Sequence, residues 1–252
     1  MKNYKMVLAY DGTRYNGWQK QGNTENTIQE KLERILQEIS GAETEVFGSG
    51  RTDAGTHATG QVMNFHINWN GTAEQLLDAF NAKLPEDIAA LSIAEMPPRF
   101  HSRLSAKAKH YSYSIWIGKH SPVFERKYTF RCTETLDVQA MRQAAAAFIG
   151  THDFKSFCAN KRMKKSTVRT IYDIVFEETE DKAMAFSTRW CASLRERSSR
   201  LARGRKTQTK QSGFYWQKAE SRQALRHPAA DFFCARYFMR FGKAAAKHDS
   251  CI

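Results

Sequence analysis

The sequence predicts an α+β fold in two sheet-plus-helix halves, residues 1–97 and a second half that begins at Pro98. Three observations carry that prediction. Apolar residues alternate at period two in several short stretches and recur at helical spacing in three longer ones. Their order reads strand, loop, helix, strand, strand, helix, strand, and then strand, helix, strand, which mixes the two types without regular βαβ alternation. Pro97-Pro98 separates the two series.

Lys5–Tyr10 alternates and is rich in β-formers, so it reads as a strand, and Asp11-Gly12-Thr13 as the turn after it. Tyr15, Gly17 and Trp18 form an aromatic loop, where Tyr15 and Trp18 either stack on a ligand or fill the core. Thr27 precedes Ile28, Leu32, Ile35, Leu36 and Ile39 at helical spacing, with Glu30 placed for a capping box and Gly41 placed to end the helix. Glu43–Phe47 and Gln61–Ile67 read as strands, Ala73–Leu84 as a helix stopped by Pro85, and Ile88–Glu95 as a strand. In the second half His110–Ile117 sets Tyr111, Tyr113, Ile115 and Ile117 on one strand face. Leu136–Ile149 reads as a helix with Asp137 near its start and Gly150 at its end. Val168–Phe176 reads as one strand.

A chain of 252 residues holds one large domain or two small ones. No apolar stretch reaches the roughly 18 residues that would span a bilayer, and the short apolar run after Met1 is broken by Asp11, so no signal peptide is expected. The five cysteines are odd in number and lack Cys-x-x-Cys spacing, which argues against a disulfide framework and a zinc site and fits a reducing cytoplasm. The net charge of +13 points to a polyanionic partner. That charge is unevenly spread. Residues 1–181 hold 23 basic and 22 acidic residues, against 16 and 4 in residues 182–252.

The chemistry concentrates in residues 48–61, Gly-Ser-Gly-Arg-Thr-Asp-Ala-Gly-Thr-His-Ala-Thr-Gly-Gln. Its glycines let a backbone turn sharply and let a ligand approach. Asp53, two residues after Arg51, suits a nucleophile or base, although a bare Arg-x-Asp is more often a local ion pair on a surface turn. Lys161-Arg162-Met163-Lys164-Lys165 reads as a phosphate contact if the partner is a nucleic acid.

Gly50-Arg51-Thr52-Asp53-Ala54-Gly55-x-His57-Ala58-x-Gly60-Gln61-Val62 resembles the signature of the tRNA pseudouridine synthase A family. The resemblance extends to Tyr10-Asp11-Gly12-Thr13-x-Tyr15-x-Gly17-Trp18-Gln19, Thr27-Ile28-Gln29-x-x-Leu32, Leu84-Pro85-x-Asp87-Ile88 and Phe100-His101-x-Arg103-x-Ser105-Ala106. It continues through Tyr111-x-Tyr113, His152-Asp153-Phe154-x-Ser156-Phe157 and Val168-Arg169-Thr170-Ile171, in family order across about residues 4–176. It implies the pseudouridine synthase fold, two halves flanking a central basic cleft, and isomerisation of uridine to pseudouridine in the tRNA anticodon arm without a cofactor, by a cytoplasmic homodimer. By resemblance Asp53 is the nucleophile. Tyr111 stacks on the uracil and serves in proton transfer. Arg51 pairs with Asp53 and fills the space of an extruded base, and Gly55 and His57 line the substrate. His57 and His101 lack partners at ligand spacing, so no metal is expected. An aspartyl-phosphate phosphotransferase would need an Asp-x-Asp motif that Asp53 lacks.

After Asp181 the family pattern stops. The family continues with a strand and an apolar helix carrying an active-site arginine, whereas this chain runs into Arg195, Arg197, Arg200, Arg203 and Arg205 without core periodicity. The departure reads as a change of reading frame. Shifting the codons by two bases makes Met184–Ala185 encode glycine and Trp190–Cys191 encode valine. The neighbouring codons then allow Gly-Phe-Leu-Tyr-x-Met-Val-Arg. The expected organisation is residues 1–97 with the catalytic loop, 98–181 as the first part of the second half, and 182–252 as a basic, out-of-frame tail that is largely disordered or poorly packed; the alternative to an active enzyme is an inactive, RNA-binding or misfolded remnant.

Overall fold

The computed structural model describes residues 1–133, 136–155 and 166–188. These form two compact units, one of residues Met1–Lys107 and one starting at Ala108. The division falls beyond Pro97-Pro98 because the intervening residues stay tied to the first unit. The Asn3 side-chain amide donates to the Pro97 and Phe100 carbonyls at 3.1 and 2.9 Å. The Ser102 amide donates to the Asn64 side chain at 2.8 Å, and the Ser102 hydroxyl to the Phe47 carbonyl at 2.6 Å.

The first unit is a four-stranded sheet with two helices. Strand β1 (Lys2–Tyr10) runs antiparallel to β3 (Ala58–Ile67) on one side and to β4 (Ile88–Met96) on the other, and the short β2 (Phe47–Gly48) flanks β3. Met6 lies opposite Met63 and Ile93. The alternation read in β1 is the burial pattern, since Tyr4, Met6, Leu8 and Tyr10 are all buried. Helix α1 (Ile28–Ser40) is capped by the Thr27 side chain, which accepts the Glu30 amide, and closes at Gly41. Helix α2 (Ala73–Asn81) opens with a full capping box of Thr72 and Gln75. Ile28, Leu32, Ile35 and Leu36 of α1 and Leu76 and Phe80 of α2 enter one core with the sheet. Each such side chain contributes about 1.5–3 kcal/mol on burial.

The strand expected over Glu43–Phe47 shrinks to β2. The backbone of Val46 is taken by α1 instead: the Glu33 carboxylate accepts its N–H at 3.1 Å and the Gln29 amide donates to its carbonyl at 3.2 Å. At the other flank Asn81 does the same to Ala90, accepting its N–H and donating to its carbonyl, both at 2.9 Å. Helix α2 stops before Leu84 because the chain tightens there, with Lys83 and Leu84 donating to carbonyls three residues back.

The second unit holds a sheet in the order β6 (Phe130–Arg131), β5 (His110–Trp116), β10 (Lys182–Thr188), β9 (Asp173–Glu178). A separate pair joins β7 (Gly150–Asp153) to β8 (Val168–Ile171). Helix α3 (Val138–Ala146) is capped by Asp137, which accepts the Ala140 amide. Its core is Ile115, Val138, Met141, Ala144, Ala145, Phe176 and Ala183.

Two expectations are corrected here. Val168–Phe176 is not one strand, because two ladders claim it: residues up to Ile171 pair with β7, and residues from Asp173 pair with β10. The reading of residues 182–252 as poorly packed fails for Lys182–Thr188, which form the inner strand between β5 and β9. The physical reason is local. The Thr179 amide donates to the Lys182 carbonyl at 2.8 Å, closing a turn, and Ala183 packs into the core at 1% exposure. Residues from 189 onward, and the basic run at 161–165, lie outside the described residues.

Candidate active site

The glycine-rich loop links β2 to β3 and is held from three directions. On the β3 side the Gln61 side-chain amide donates to the Gly50 carbonyl at 2.6 Å, and the Ser49 amide to the Val62 carbonyl at 2.7 Å. Within the loop, the Thr56 amide donates to the Asp53 carbonyl at 3.1 Å and turns the chain at Gly55, whose φ is 79°.

The third support is the segment after β1. The Trp18 amide donates to the Thr52 carbonyl at 3.0 Å, the Gly55 amide to the Tyr15 carbonyl at 3.1 Å, and the Tyr10 hydroxyl meets the Thr52 hydroxyl at 2.9 Å. Two glycines make this approach sterically possible. A Cβ on Gly12 would stand 1.9 Å from the Thr56 carbonyl oxygen. One on Gly17, at φ +92°, would stand 2.7 Å from the Thr52 carbonyl oxygen. Trp18 and Tyr15 are 2% and 5% exposed, so both are core residues that brace the loop. Burial pushes the Tyr10 phenol well above its ordinary range, with the Thr52 contact opposing in part.

This bracing sorts the loop side chains by role. Thr52 and His57 point inward and are buried, whereas Arg51 and Asp53 on either side of Thr52 are exposed and Gly55 is half-buried. His57 Nδ1 lies 3.0 Å from the Asp11 carboxylate and 3.2 Å from the Gly12 amide. Unprotonated, that nitrogen accepts the Gly12 N–H; protonated, it donates to Asp11. Either state fastens the loop to the turn after β1. His57 is thus buried, at 4% exposure, and fastens the loop from within. The Asp11 carboxylate in turn accepts the Thr13 amide at 2.9 Å.

Asp53, Arg51, Gly55 and His57 therefore share one loop of the first unit. Tyr111 belongs to the second unit, where it stands half-buried near the start of β5, opposite Ser187 of β10. Sequence reasoning missed the supports Tyr10, Thr52 and Asp87. Asp87 at the head of β4 accepts the Tyr15 hydroxyl at 2.6 Å and two donors of Arg14 at 2.8 and 3.0 Å. All three stand inside the resembling blocks, which is the one signal that marks them. Among the described residues no helix is long and apolar enough to cross a membrane.

The model of the tRNA pseudouridine synthase family matches residues 6–104 and 144–219, so the second stretch runs past Asp181. The tRNA pseudouridine synthase A of Bacillus sp. (strain KSM-64) is 44% identical over 180 residues, covering 71% of this chain and 74% of that protein. The tRNA pseudouridine synthase A 1 of Clostridium tetani is 46% identical over 180 residues, with the same coverage. The protein named tRNA pseudouridine synthase A from Thermoanaerobacter sp. (strain X514) is 41% identical over 181 residues, 72% of this chain and 74% of its own. With its glycine loop set on the sheet as described and the match covering both units, this chain belongs to the tRNA pseudouridine synthase family.

Proposed function

We propose that the chain isomerises uridine to pseudouridine in the anticodon stem-loop of tRNA, with Asp53 as the nucleophile. The observation that carries this reading is the exposed Asp53 carboxylate on a loop whose neighbours Thr52 and His57 are buried and bonded. A nucleophile of this kind must face the nucleoside from a fixed place. The Asp53 carboxylate attacks the sugar carbon as its bond to N1 breaks, the released base turns, and C5 bonds to that carbon as the Asp53 carboxylate leaves it, N1 taking up a proton. A base then removes the C5 proton. Tyr111 stacks on the uracil and serves that proton transfer, and Arg51 pairs with Asp53 and occupies the space left by the extruded base. Gly55 gives the backbone room to close on the substrate, and Lys161–Lys165 contact phosphates. The working form is a cytoplasmic homodimer lying along the tRNA.

A second reading is favoured by the sequence after residue 190, where Arg195, Arg197, Arg200, Arg203 and Arg205 follow no core periodicity, although the family model's match runs on to residue 219. In it a change of reading frame has removed the later arginine of the site, and the chain is an inactive, RNA-binding remnant. One experiment separates the two. Pseudouridine is measured in tRNA incubated with the purified chain and with Asp53→Asn. Formation by the first, lost at least about 10⁴-fold in the second, supports the enzyme. No formation by either supports the remnant, and equal formation by both removes Asp53 as nucleophile. Sequencing codons 176–190 tests the frame, and an intact frame ends that explanation of the tail.

A further inference from the structure

The Leu84-Pro85-x-Asp87-Ile88 block contains a carboxylate that the reaction above leaves without a task. Asp87 is far from an ordinary surface acid. Its side chain is 10% exposed. One carboxylate oxygen accepts the Tyr15 hydroxyl at 2.6 Å, and the other accepts Arg14 Nε and Nη2 at 3.0 and 2.8 Å. Its backbone carbonyl accepts the Asp11 amide at 2.9 Å. A carboxylate withdrawn from water is tolerable only with such charged and hydroxyl donors.

The partner that matters is Tyr15, because it is fixed at both ends. Its phenol is bonded to Asp87, and its backbone carbonyl accepts the Gly55 amide at 3.1 Å. Gly55 lies two residues from Asp53, inside the turn closed by the Thr56 amide and the Asp53 carbonyl. A continuous path therefore runs from the head of β4 through the buried Tyr15 to the turn that carries the reacting carboxylate. Burial, and then the bond to Asp87, push the Tyr15 phenol above its ordinary range, so it remains a donor throughout neutral pH.

We infer that Asp87 is a positioning residue for Asp53, acting through the Tyr15 hydroxyl to hold the catalytic turn at its working height. The inference rests on Asp53 being the nucleophile. Misplacing a reacting group by 1 Å costs about 10²-fold in rate, so a tether of this kind is felt in turnover before it is felt in binding.

Tyr15→Phe, Asp87→Asn and the double variant are made in the full chain and compared with Asp53→Asn. Tyr15→Phe removes a single oxygen and keeps the buried ring, so it decides the matter if Asp87→Asn fails to fold. Turnover of tRNA and peptide-level deuterium uptake are both read. The expected result is a kcat lowered about 10- to 100-fold in each single variant, with KM for tRNA within about twofold and the double variant no worse than the singles, because both act on one path. Uptake rises in residues 51–57 and stays unchanged in residues 61–67. If the full chain shows no turnover, uptake alone decides. Unchanged uptake at 51–57, or a Tyr15→Phe kcat within about twofold of the parent, overturns the inference. If Asp53→Asn itself keeps the parent's turnover, the nucleophile assignment has failed instead.

Discussion

The two units pack their sheets with different materials. In the first, β1 is flanked along its length by β3 and β4, and Tyr4, Met6, Leu8, Trp18, Phe65 and Phe80 are almost wholly withdrawn from water. In the second, the sheet ends in the two-residue β6, and among the described residues three of the seven buried core residues are alanines. The first arrangement gives a rigid platform with many large contacts, and it carries the Asp53 loop. The second holds Tyr111 on a strand whose described core neighbours are smaller side chains. The comparison teaches that, among the described residues, the loop carrying the proposed nucleophile Asp53 stands on the larger core side chains.

Four measurements break or sharpen that contrast. Phe65→Ala should remove about 3–5 kcal/mol and Met141→Ala about 2–5 kcal/mol, each read as lost hydrogen-exchange protection in its own unit. If Met141→Ala strips β1 as fully as β5, the contrast is wrong. Gly12→Ala should come next at about 1–3 kcal/mol, since its Cβ meets a backbone carbonyl that a side-chain rotation cannot clear. It should lower turnover more than any equally destabilising change in the second unit, as paired melting and activity assays will tell.

The helix caps are a matched pair. Thr27→Ala in α1 and Asp137→Ala in α3 each lose one accepted amide and should cost about 1 kcal/mol in urea melts. Unequal losses would say that the two units hold their helices differently. The smallest effect is alkaline. The folded Tyr10 phenol sits above its unfolded value of 10.0, so the folded state keeps its proton where the unfolded state loses it. Stability is full below that pH and falls as pH rises beyond it. Melting temperature should start to drop near pH 10 and keep falling above it, and less steeply in Tyr10→Phe.

Much of this was legible because local chemistry and tertiary demand agree. Thr27, Glu30 and Gly41 mark the ends of α1, and the β1 alternation marks its core face. The glycine loop was legible as a candidate site from Asp53 and its neighbours. What escaped the sequence is what side chains do to distant backbone. Nothing in Glu43–Val46 says that Gln29 and Glu33 will take the hydrogen bonds of Val46 and cut the strand short. Nothing at Tyr172 says that two ladders will divide the chain there. Lys182–Thr188 was misjudged because the family pattern was taken to stop at Asp181, although these residues still alternate as a strand that pairs with β5 and β9. The tether from Asp87 to the loop joins residues more than thirty positions apart, beyond the reach of spacing.

The side chains that close the flanks of the first sheet have a consequence for the molecule among its copies. Gln29 and Glu33 occupy Val46 on one flank, and Asn81 occupies both backbone groups of Ala90 on the other. These are the groups a strand from a second molecule would seek. Each helix therefore imitates a neighbouring strand at one point and denies an intruder a continuous ladder. Asn81→Ala would reopen the flank at β4, and the first sign should be association at high concentration rather than loss of fold.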